Sequence, residues 1–124
     1  MTAAYDPNYP EVCEKNNSVF LSCGAGIMKF TGARGKSGSN DANAEFLAYL
    51  RNLFDENGVV WQTGELGKVD AGGGGTVAAY IANLNIDTID VGVPVLSMHA
   101  PYELTAKNDV YMAYKAFTAF YKMK

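Results

Sequence analysis

Hydrophobic spacing along the chain alternates between strand-like runs and helix-like stripes. Short apolar runs predict three strands, at residues 26–31, 59–66 and 87–98. Apolar residues three and four apart predict three helices, over about 42–57, 77–84 and 104–122. This alternation is typical of an α/β fold. Because the third run is nearly all apolar at its end, we predict a central strand that is covered on both faces.

The helix boundaries carry recognisable capping residues. Asn40 or Asp41 is predicted to cap the first helix, and Asn57-Gly58 to end it, since asparagine and glycine tolerate a left-handed cap. The last helix is predicted to have one broad apolar face, formed by Val110, Ala113, Tyr114, Phe117, Phe120 and Tyr121. Three strands make a thin sheet, so we expect further strands to be missing or supplied by another chain.

Composition restricts the class of protein. The 124 residues predict a single domain, and the hydrophobic content of 48% is that of a folded protein. The net charge of −3 argues against a nucleic-acid partner, and no apolar run is long enough to span a membrane. Cys13 and Cys23 have neither C-x-x-C spacing nor the numbers of a disulfide framework, so we predict reduced thiols in a cytoplasmic protein.

Two glycine-rich segments resemble nucleotide-binding loops but fail the motifs. Residues 32–40 are predicted to form a polar loop, and their Gly35-Lys36-Ser37 would need a glycine where Phe30 stands. Gly72–Gly75 would need a glycine at Val77 to match the dinucleotide fingerprint. The second segment could bind a carbonyl or an oxyanion at the start of a helix, or it could be a tight turn without a ligand.

The only histidine, His99, follows the third predicted strand, where α/β proteins place their sites. The residues leave three interpretations open: a hydrogen-bonded core histidine, a base acting on a nucleophile such as Ser97, or a metal ligand. Glu103 could orient the histidine from a second shell or cap the next helix.

Five segments together resemble one family across essentially the whole chain. They are YDPNYPE, GARGKSGSNDA, WQTGELGKVDAGGGGTVA, NLNIDTIDVGVPVLSMHAPYE and DVYMAYKAF, and they occur in the family's order. The chain resembles the C-terminal part of the aspartyl aminopeptidase / aminopeptidase I family of zinc metalloaminopeptidases. The resemblance implies one domain over residues 1–124, the C-terminal portion of a catalytic domain. Its fold is expected to be α/β, a three-layer mixed sheet with helices on both faces, incomplete here.

The resemblance also implies a function and its residues. A family member binds two divalent metals, zinc or alternatively cobalt or manganese, and removes N-terminal residues from a peptide substrate with a glutamate as general base. His99 matches the family's last metal ligand. Lys29, Gly73 and Gly74 match positions beside the substrate, although Lys29 could equally form a structural ion pair. Family members form closed assemblies, which implies a homo-oligomer.

The departure from the family pattern lies in what precedes Met1. The other ligands and the general base of the family lie upstream of the matched segments, so no catalytic residue is assigned within this chain. Because two metal ions need several protein ligands, we expect the isolated chain to be inactive. The alternative is a non-catalytic relic of the family that binds a partner or itself through exposed apolar faces.

Overall fold

The computed structural model of the chain describes residues 1–33, 37–68 and 74–123. Seven strands are found there: β1 (Thr2–Ala3), β2 (Ala25–Met28), β3 (Phe30–Ala33), β4 (Ser37–Asp41), β5 (Trp61–Gly64), β6 (Asp90–Gly92) and β7 (Pro94–Val95). The helices are α1 (Ala44–Glu56), α2 (Ala78–Ala82) and α3 (Lys107–Tyr121). Two short 3₁₀ turns, Pro10–Val12 and Lys15–Asn17, precede β2.

The main sheet is mixed, and β2 is its central strand. It pairs in parallel with β5 and antiparallel with β6, while β1 pairs in parallel with β7 and β3 pairs antiparallel with β4. The predicted α/β class is confirmed. The prediction of one central strand over 87–98 is wrong. This stretch forms two short strands with different partners: β6 pairs with β2, and β7 pairs with β1.

Strand register assigns the side chains of β2 to two different faces. Ile27 lies opposite Val91 of β6, and both pack with Phe54 of α1 and Ala116 of α3 in one hydrophobic cluster. Met28 lies opposite Asp90, on the other face, where it packs with Ala4 and Val19. The two long helices therefore cover the Ile27 face, and the N-terminal segment covers part of the Met28 face.

Helix α1 ends where the sequence predicts and begins slightly later. Asn57 caps its C-terminus, and Gly58 follows with φ +60°. The prediction of Asn40 or Asp41 as N-cap is wrong: the side chain of Asn43 accepts a hydrogen bond from the Glu45 N–H at 2.8 Å. Asn40 and Asp41 instead belong to β4, so helical geometry cannot begin until the strand has ended.

The core-facing side of α3 is made of small residues rather than the predicted aromatic ones. The helix buries Ala113, Ala116 and Ala119. Tyr114 and Tyr121 of the predicted apolar face are 65% and 81% exposed. Ala116 packs with Ile27 and Phe54, so small side chains fill this interface while Tyr114 and Tyr121 lie outside it.

The predicted polar loop over 32–40 is largely a β-hairpin. Strands β3 and β4 pair with an irregularity between Thr31 and Ala33, while residues 34–36 lie outside the described part of the chain. Glycine, serine and asparagine lack the apolar alternation that predicts a strand, so pairing of the backbone determines this element. Among the described residues, no helix has the length and apolar composition that crossing a membrane requires.

Glycines allow the N-terminal segment to lie against the Met28 face of the sheet. A Cβ atom at Gly64 would lie 2.8 Å from Val19 Cγ1 and 3.0 Å from the Val19 nitrogen. A Cβ atom at Gly92 would lie 2.9 Å from Thr2 Oγ1 and 3.0 Å from the Met1 carbonyl carbon. At each position the shorter distance is below what a real Cβ atom shows, so glycine there allows Val19, Met1 and Thr2 to pack against the sheet.

We expect Gly24→Ala to lower the free energy of unfolding by about 2–3 kcal/mol, because it combines backbone strain with a steric clash. Gly24 has φ +93°, and its Cβ would lie 2.2 Å from the Val60 carbonyl oxygen. Gly58→Ala is the matched control, since Gly58 also has a positive φ but its Cβ would meet only the Lys115 Nζ at 3.3 Å. Urea unfolding followed by circular dichroism measures both; equal losses would contradict the steric argument.

Candidate functional site

A cavity of about 770 Å³ lies on the Met28 face of the sheet, and we call it the His99 cavity. Its apolar lining consists of Met1, Met28, Leu66, Val77, Ala79 and Met98. Its polar lining includes Thr2, Thr31, Thr76, Asn83, Asp90 and His99. The residues come from β1, β2, β3, β6, the segment after β5, α2 with its flanking residues and the loop after β7, so distant parts of the sequence meet here.

His99 is carried by a loop whose base is closed by main-chain hydrogen bonds. The Leu96 N–H donates to the Leu104 carbonyl at 2.9 Å, and the Leu104 N–H donates to the Leu96 carbonyl at 3.2 Å. Ser97 and His99 have φ of +57° and +68°, which is uncommon for residues other than glycine. The loop therefore turns sharply beyond β7 and places His99 at the cavity.

Glu103 fixes the backbone of His99 rather than its ring. A side-chain oxygen, Oε1, of Glu103 accepts a hydrogen bond from the His99 backbone N–H at 2.6 Å. Ala106, not Glu103, occupies the N-cap position of α3. The interpretation of Glu103 as a helix cap is therefore wrong, and the observed contact holds the turn that presents the imidazole.

Two of the three interpretations of His99 lose support. The side chain is exposed, so it is not a core histidine. Among the hydrogen bonds of the described residues, none joins the His99 ring to the Ser97 hydroxyl, as an activated serine would require. An exposed imidazole at a cavity after a strand remains available for a metal or a ligand.

Lys29 lies in the bend between β2 and β3, next to the cavity-lining Met28, but its side chain is engaged elsewhere. Its ammonium group donates to the Asp41 carboxylate across the β3–β4 hairpin, in a partly exposed ion pair. Lys29 is not among the cavity-lining residues of the described chain, whereas its neighbours Met28 and Thr31 are.

Residues 74–76, the described part of the glycine-rich segment, lie at the edge of the cavity. Gly73 lies outside the described residues. The Gly74 carbonyl accepts a hydrogen bond from the Gly32 N–H of β3 at 3.0 Å, and Gly75 and Thr76 line the cavity. Gly74, which the resemblance places beside the substrate, therefore connects the β3–β4 hairpin to the edge of the cavity.

The described residues do not fit a two-metal centre by themselves. Within residues 1–33, 37–68 and 74–123, no three histidine, cysteine, aspartate or glutamate side chains lie close enough to hold a metal ion. His99 and Asp90 both line the cavity, but two donors fall short of the ligand number that two bridged cations need.

Sequence reasoning missed five polar residues of the cavity: Thr2, Thr31, Thr76, Asn83 and Asp90. The Thr76 hydroxyl donates to Asp90 Oδ2 at 2.8 Å. Thr31 is 2% exposed, and its hydroxyl has no hydrogen-bond partner in the described structure. Thr76 and Asp90 fall within segments that resemble the family, but the resemblance gives them no role, so only packing and strand register place them at the cavity.

We expect iodoacetamide to alkylate Cys23 well before Cys13. Both cysteines are free thiols, and Cys23 is exposed. Burial raises the pKa of Cys13, the charge of Asp6 raises it further, and a hydrogen bond with Ser18 opposes the shift. Because the thiolate is the reactive form, a raised pKa slows the reaction near neutral pH. Mass spectrometry over a time course measures the order; faster modification of Cys13 would contradict it.

Comparison with known proteins identifies the family. The family model for aminopeptidase I zinc metalloprotease (M18) matches residues 1–121. The chain belongs to the M18 aminopeptidase family. The sequence resemblance to aminopeptidase I is thereby confirmed, and the segments that carry it span both the His99 loop and the glycine-rich segment.

M18 relatives of known structure share the fold described here. The crystal structure of aminopeptidase I from Clostridium acetobutylicum is 52% identical, with a TM-score of 0.91 over 96% of this chain. The M18 aminopeptidase structure from Thermotoga maritima is 44% identical, also with a TM-score of 0.91. The mApe1 dodecamer of S. cerevisiae is 25% identical, with a TM-score of 0.74 over 98% of this chain.

The chain corresponds to a minor part of these M18 proteins. It spans 26% of the C. acetobutylicum chain and 26% of the T. maritima chain, and 25% of the yeast chain. The fold is consequently an incomplete portion of the M18 architecture, as the sequence predicts.

Proposed function

We propose that the chain provides one metal ligand, His99, and one wall of the substrate cavity of a metal-dependent aminopeptidase. The observation that carries this proposal is the exposed imidazole on a loop closed by hydrogen bonds, at a cavity beyond the end of β7. Membership of the M18 family supports removal of N-terminal residues from peptides as the reaction.

The proposed cofactor is a pair of divalent metal ions, with zinc as the first choice and cobalt or manganese as alternatives. The family description as a zinc metalloprotease supports zinc. When bound, such ions polarise the scissile carbonyl and activate water. Since the described residues offer too few donors, the remaining ligands and the general base are proposed to lie in the part of an M18 protein that this chain does not cover.

The resemblance places Lys29, Gly73 and Gly74 beside the substrate, and of these we propose that Gly73 and Gly74 border it. Gly74 is supported by its position between the hairpin and the cavity rim. The ion pair of Lys29 with Asp41 supports a structural role for this lysine, because its charge is already compensated. We therefore propose that Lys29 holds the hairpin beside the cavity rather than selecting acidic substrates.

A hybrid enzyme tests the proposal. In it, this chain replaces the matching quarter of the C. acetobutylicum aminopeptidase, which is 52% identical over the exchanged region. The hybrid is expected to hydrolyse leucyl-p-nitroanilide only when zinc, cobalt or manganese is supplied. A hybrid that is folded and metal-loaded but without turnover would refute the proposed function.

We expect Glu103→Ala to weaken metal binding by the hybrid about 10–100-fold, the usual cost of losing a group that orients a ligand. The contact at 2.6 Å positions the His99 backbone, so Glu103→Gln, which keeps an acceptor oxygen, should retain most of the affinity. Chelator titration monitored by residual activity measures both variants. Equal affinities in Glu103→Ala and the parent hybrid would show that the contact is dispensable.

The alternative is a non-catalytic relic of the family that associates with itself. The exposed large side chains of α3 favour it: Val110, Tyr111, Tyr114, Phe117 and Tyr121 are all between 44% and 81% exposed. Apolar patches of this kind usually mark an interface. The dodecameric yeast relative supports homo-oligomerisation in either case. The free thiols support a cytoplasmic location.

Sedimentation and activity together separate the two functions. A relic is expected to self-associate while the hybrid shows no turnover, and Tyr114→Lys should shift the isolated chain toward monomer. An active hybrid excludes the relic, whatever the assembly state of the isolated chain.

A further inference from the structure

The described part of the glycine-rich segment, residues 74–76, is joined by hydrogen bonds to two strands. The Gly74 carbonyl accepts from the Gly32 N–H of β3 at 3.0 Å. The Thr76 hydroxyl donates to Asp90 Oδ2 at the start of β6, at 2.8 Å. Strands β3 and β6 lie far apart in sequence, so the segment bridges two separate elements next to the His99 cavity.

Register explains why Asp90 can reach the segment. Asp90 lies opposite Met28 on the neighbouring strand, and paired residues point to the same face of a sheet. Its carboxylate is therefore directed to the cavity face, where it accepts the Thr76 hydroxyl. A carboxylate acceptor makes this a charge-assisted hydrogen bond, which is stronger than a bond between neutral groups.

The bond matters because the residues before Thr76 restrain the backbone so little. Gly74 and Gly75 have no Cβ, and the nearest atom to a Cβ at Gly74 would be Leu66 Cδ2, at 3.5 Å. Because they lack side chains, the two glycines can adopt a wide range of backbone conformations. A polar side chain directly after them is the nearest means of fixing the segment.

We propose that Thr76 and Asp90 are positioning residues, which hold the glycine-rich segment at the distance from the His99 loop that a bound peptide requires. This inference depends on the proposed function in one respect only, namely that a peptide occupies the His99 cavity. In this role the pair acts through the backbone of Gly74 and Gly75, and not by binding a metal or the reacting atoms itself. Holding a binding segment in place lowers the entropy that substrate binding would otherwise cost.

Hydrogen exchange in the 124-residue chain tests the restraint without any enzyme activity. The Gly32 N–H reports on the segment, because its acceptor is the Gly74 carbonyl. Thr76→Val, which removes the hydroxyl but keeps the shape, is expected to accelerate exchange of the Gly32 amide about tenfold, as loss of a hydrogen bond to a charged group allows. The Ala42 N–H, which donates to the Lys29 carbonyl of the same hairpin, should not change.

The matched control is Thr88→Val. Its hydroxyl also makes a 2.8 Å hydrogen bond, but to the Ile86 carbonyl two residues away. Thr88→Val should leave the exchange of the Gly32 amide unaltered. Thr76→Ser, which keeps a hydroxyl, should show the parent exchange rate. Exchange at Gly32 that does not change in Thr76→Val would overturn the proposal.

Steady-state kinetics of the hybrid enzyme test the consequence for substrate. Thr76→Val is expected to raise KM about tenfold with little change in kcat, while Thr88→Val and Thr76→Ser remain close to the parent. An active hybrid whose KM is unaffected by Thr76→Val would overturn the positioning role even if exchange accelerates. If the parent hybrid itself has no activity, the proposed function fails, and the exchange result alone decides whether the pair restrains the segment.

Discussion

Replacing Asp109 with alanine is expected to lower the free energy of unfolding by about 4 kcal/mol, the largest effect on stability that we predict. Asp109 is fully buried, and its two carboxylate oxygens accept from the Ser22 N–H at 2.7 Å and the Gly24 N–H at 2.8 Å. Without the carboxylate, these donors of the loop before β2 lose their partner, and an unpaired buried N–H costs about 1–3 kcal/mol.

Two further variants make the Asp109 prediction specific. Asp109→Asn keeps one acceptor oxygen, so its loss should be intermediate. Asp87→Ala removes an exposed carboxylate and should change the free energy of unfolding by less than about 0.5 kcal/mol. Urea unfolding of the 124-residue chain measures all three. A loss for Asp109→Ala no larger than that of Asp87→Ala would show that the carboxylate does not hold α3 to this loop.

Replacing His99 with asparagine is expected to reduce kcat/KM of the hybrid enzyme at least about 100-fold, since losing a group that merely orients a metal ligand already costs about 10–100-fold. Asparagine is chosen because His99 has φ +68°, a conformation that asparagine tolerates better than alanine does. The backbone of the loop is therefore preserved while the imidazole is lost.

Ser97→Asn is the matched control for His99→Asn. Ser97 has a similar φ of +57° in the same loop. Its replacement is expected to change kcat/KM less than about threefold, as for a surface substitution that costs little stability. Comparable losses in both variants would show that the loop conformation, and not the imidazole, is what the enzyme requires. Retained activity in His99→Asn would contradict ligation by His99.

The parts of the fold that could be predicted are those in which local pattern and packing agree. Helix α1 has apolar side chains at helical spacing and a glycine after its end, and it forms with Leu50 and Phe54 buried. The β3–β4 hairpin lacks any such pattern, because backbone pairing alone forms it. On α3, periodicity finds the apolar residues correctly but cannot tell that the alanines, not the tyrosines, face this core.

In the candidate site, too, the features that follow from local sequence could be predicted, and those that depend on tertiary structure could not. His99 could be located because it is a rare residue at a strand end. The contact of Glu103 with the His99 backbone, and the pairing of Thr76 with Asp90, depend on loop closure and strand register. Neither is determined by residue spacing, since fourteen residues of chain separation between Thr76 and Asp90 impose no fixed geometry.

The central proposal is that these 124 residues contribute a portion of a two-metal centre and not the whole of it; this is the claim to be tested. Elemental analysis of the purified chain, dialysed after exposure to zinc and assayed on leucyl-p-nitroanilide, tests this claim most directly. We predict far fewer than two zinc ions per chain and no metal-dependent turnover. Two retained zinc ions per chain, with turnover that is lost in His99→Asn, would contradict the account.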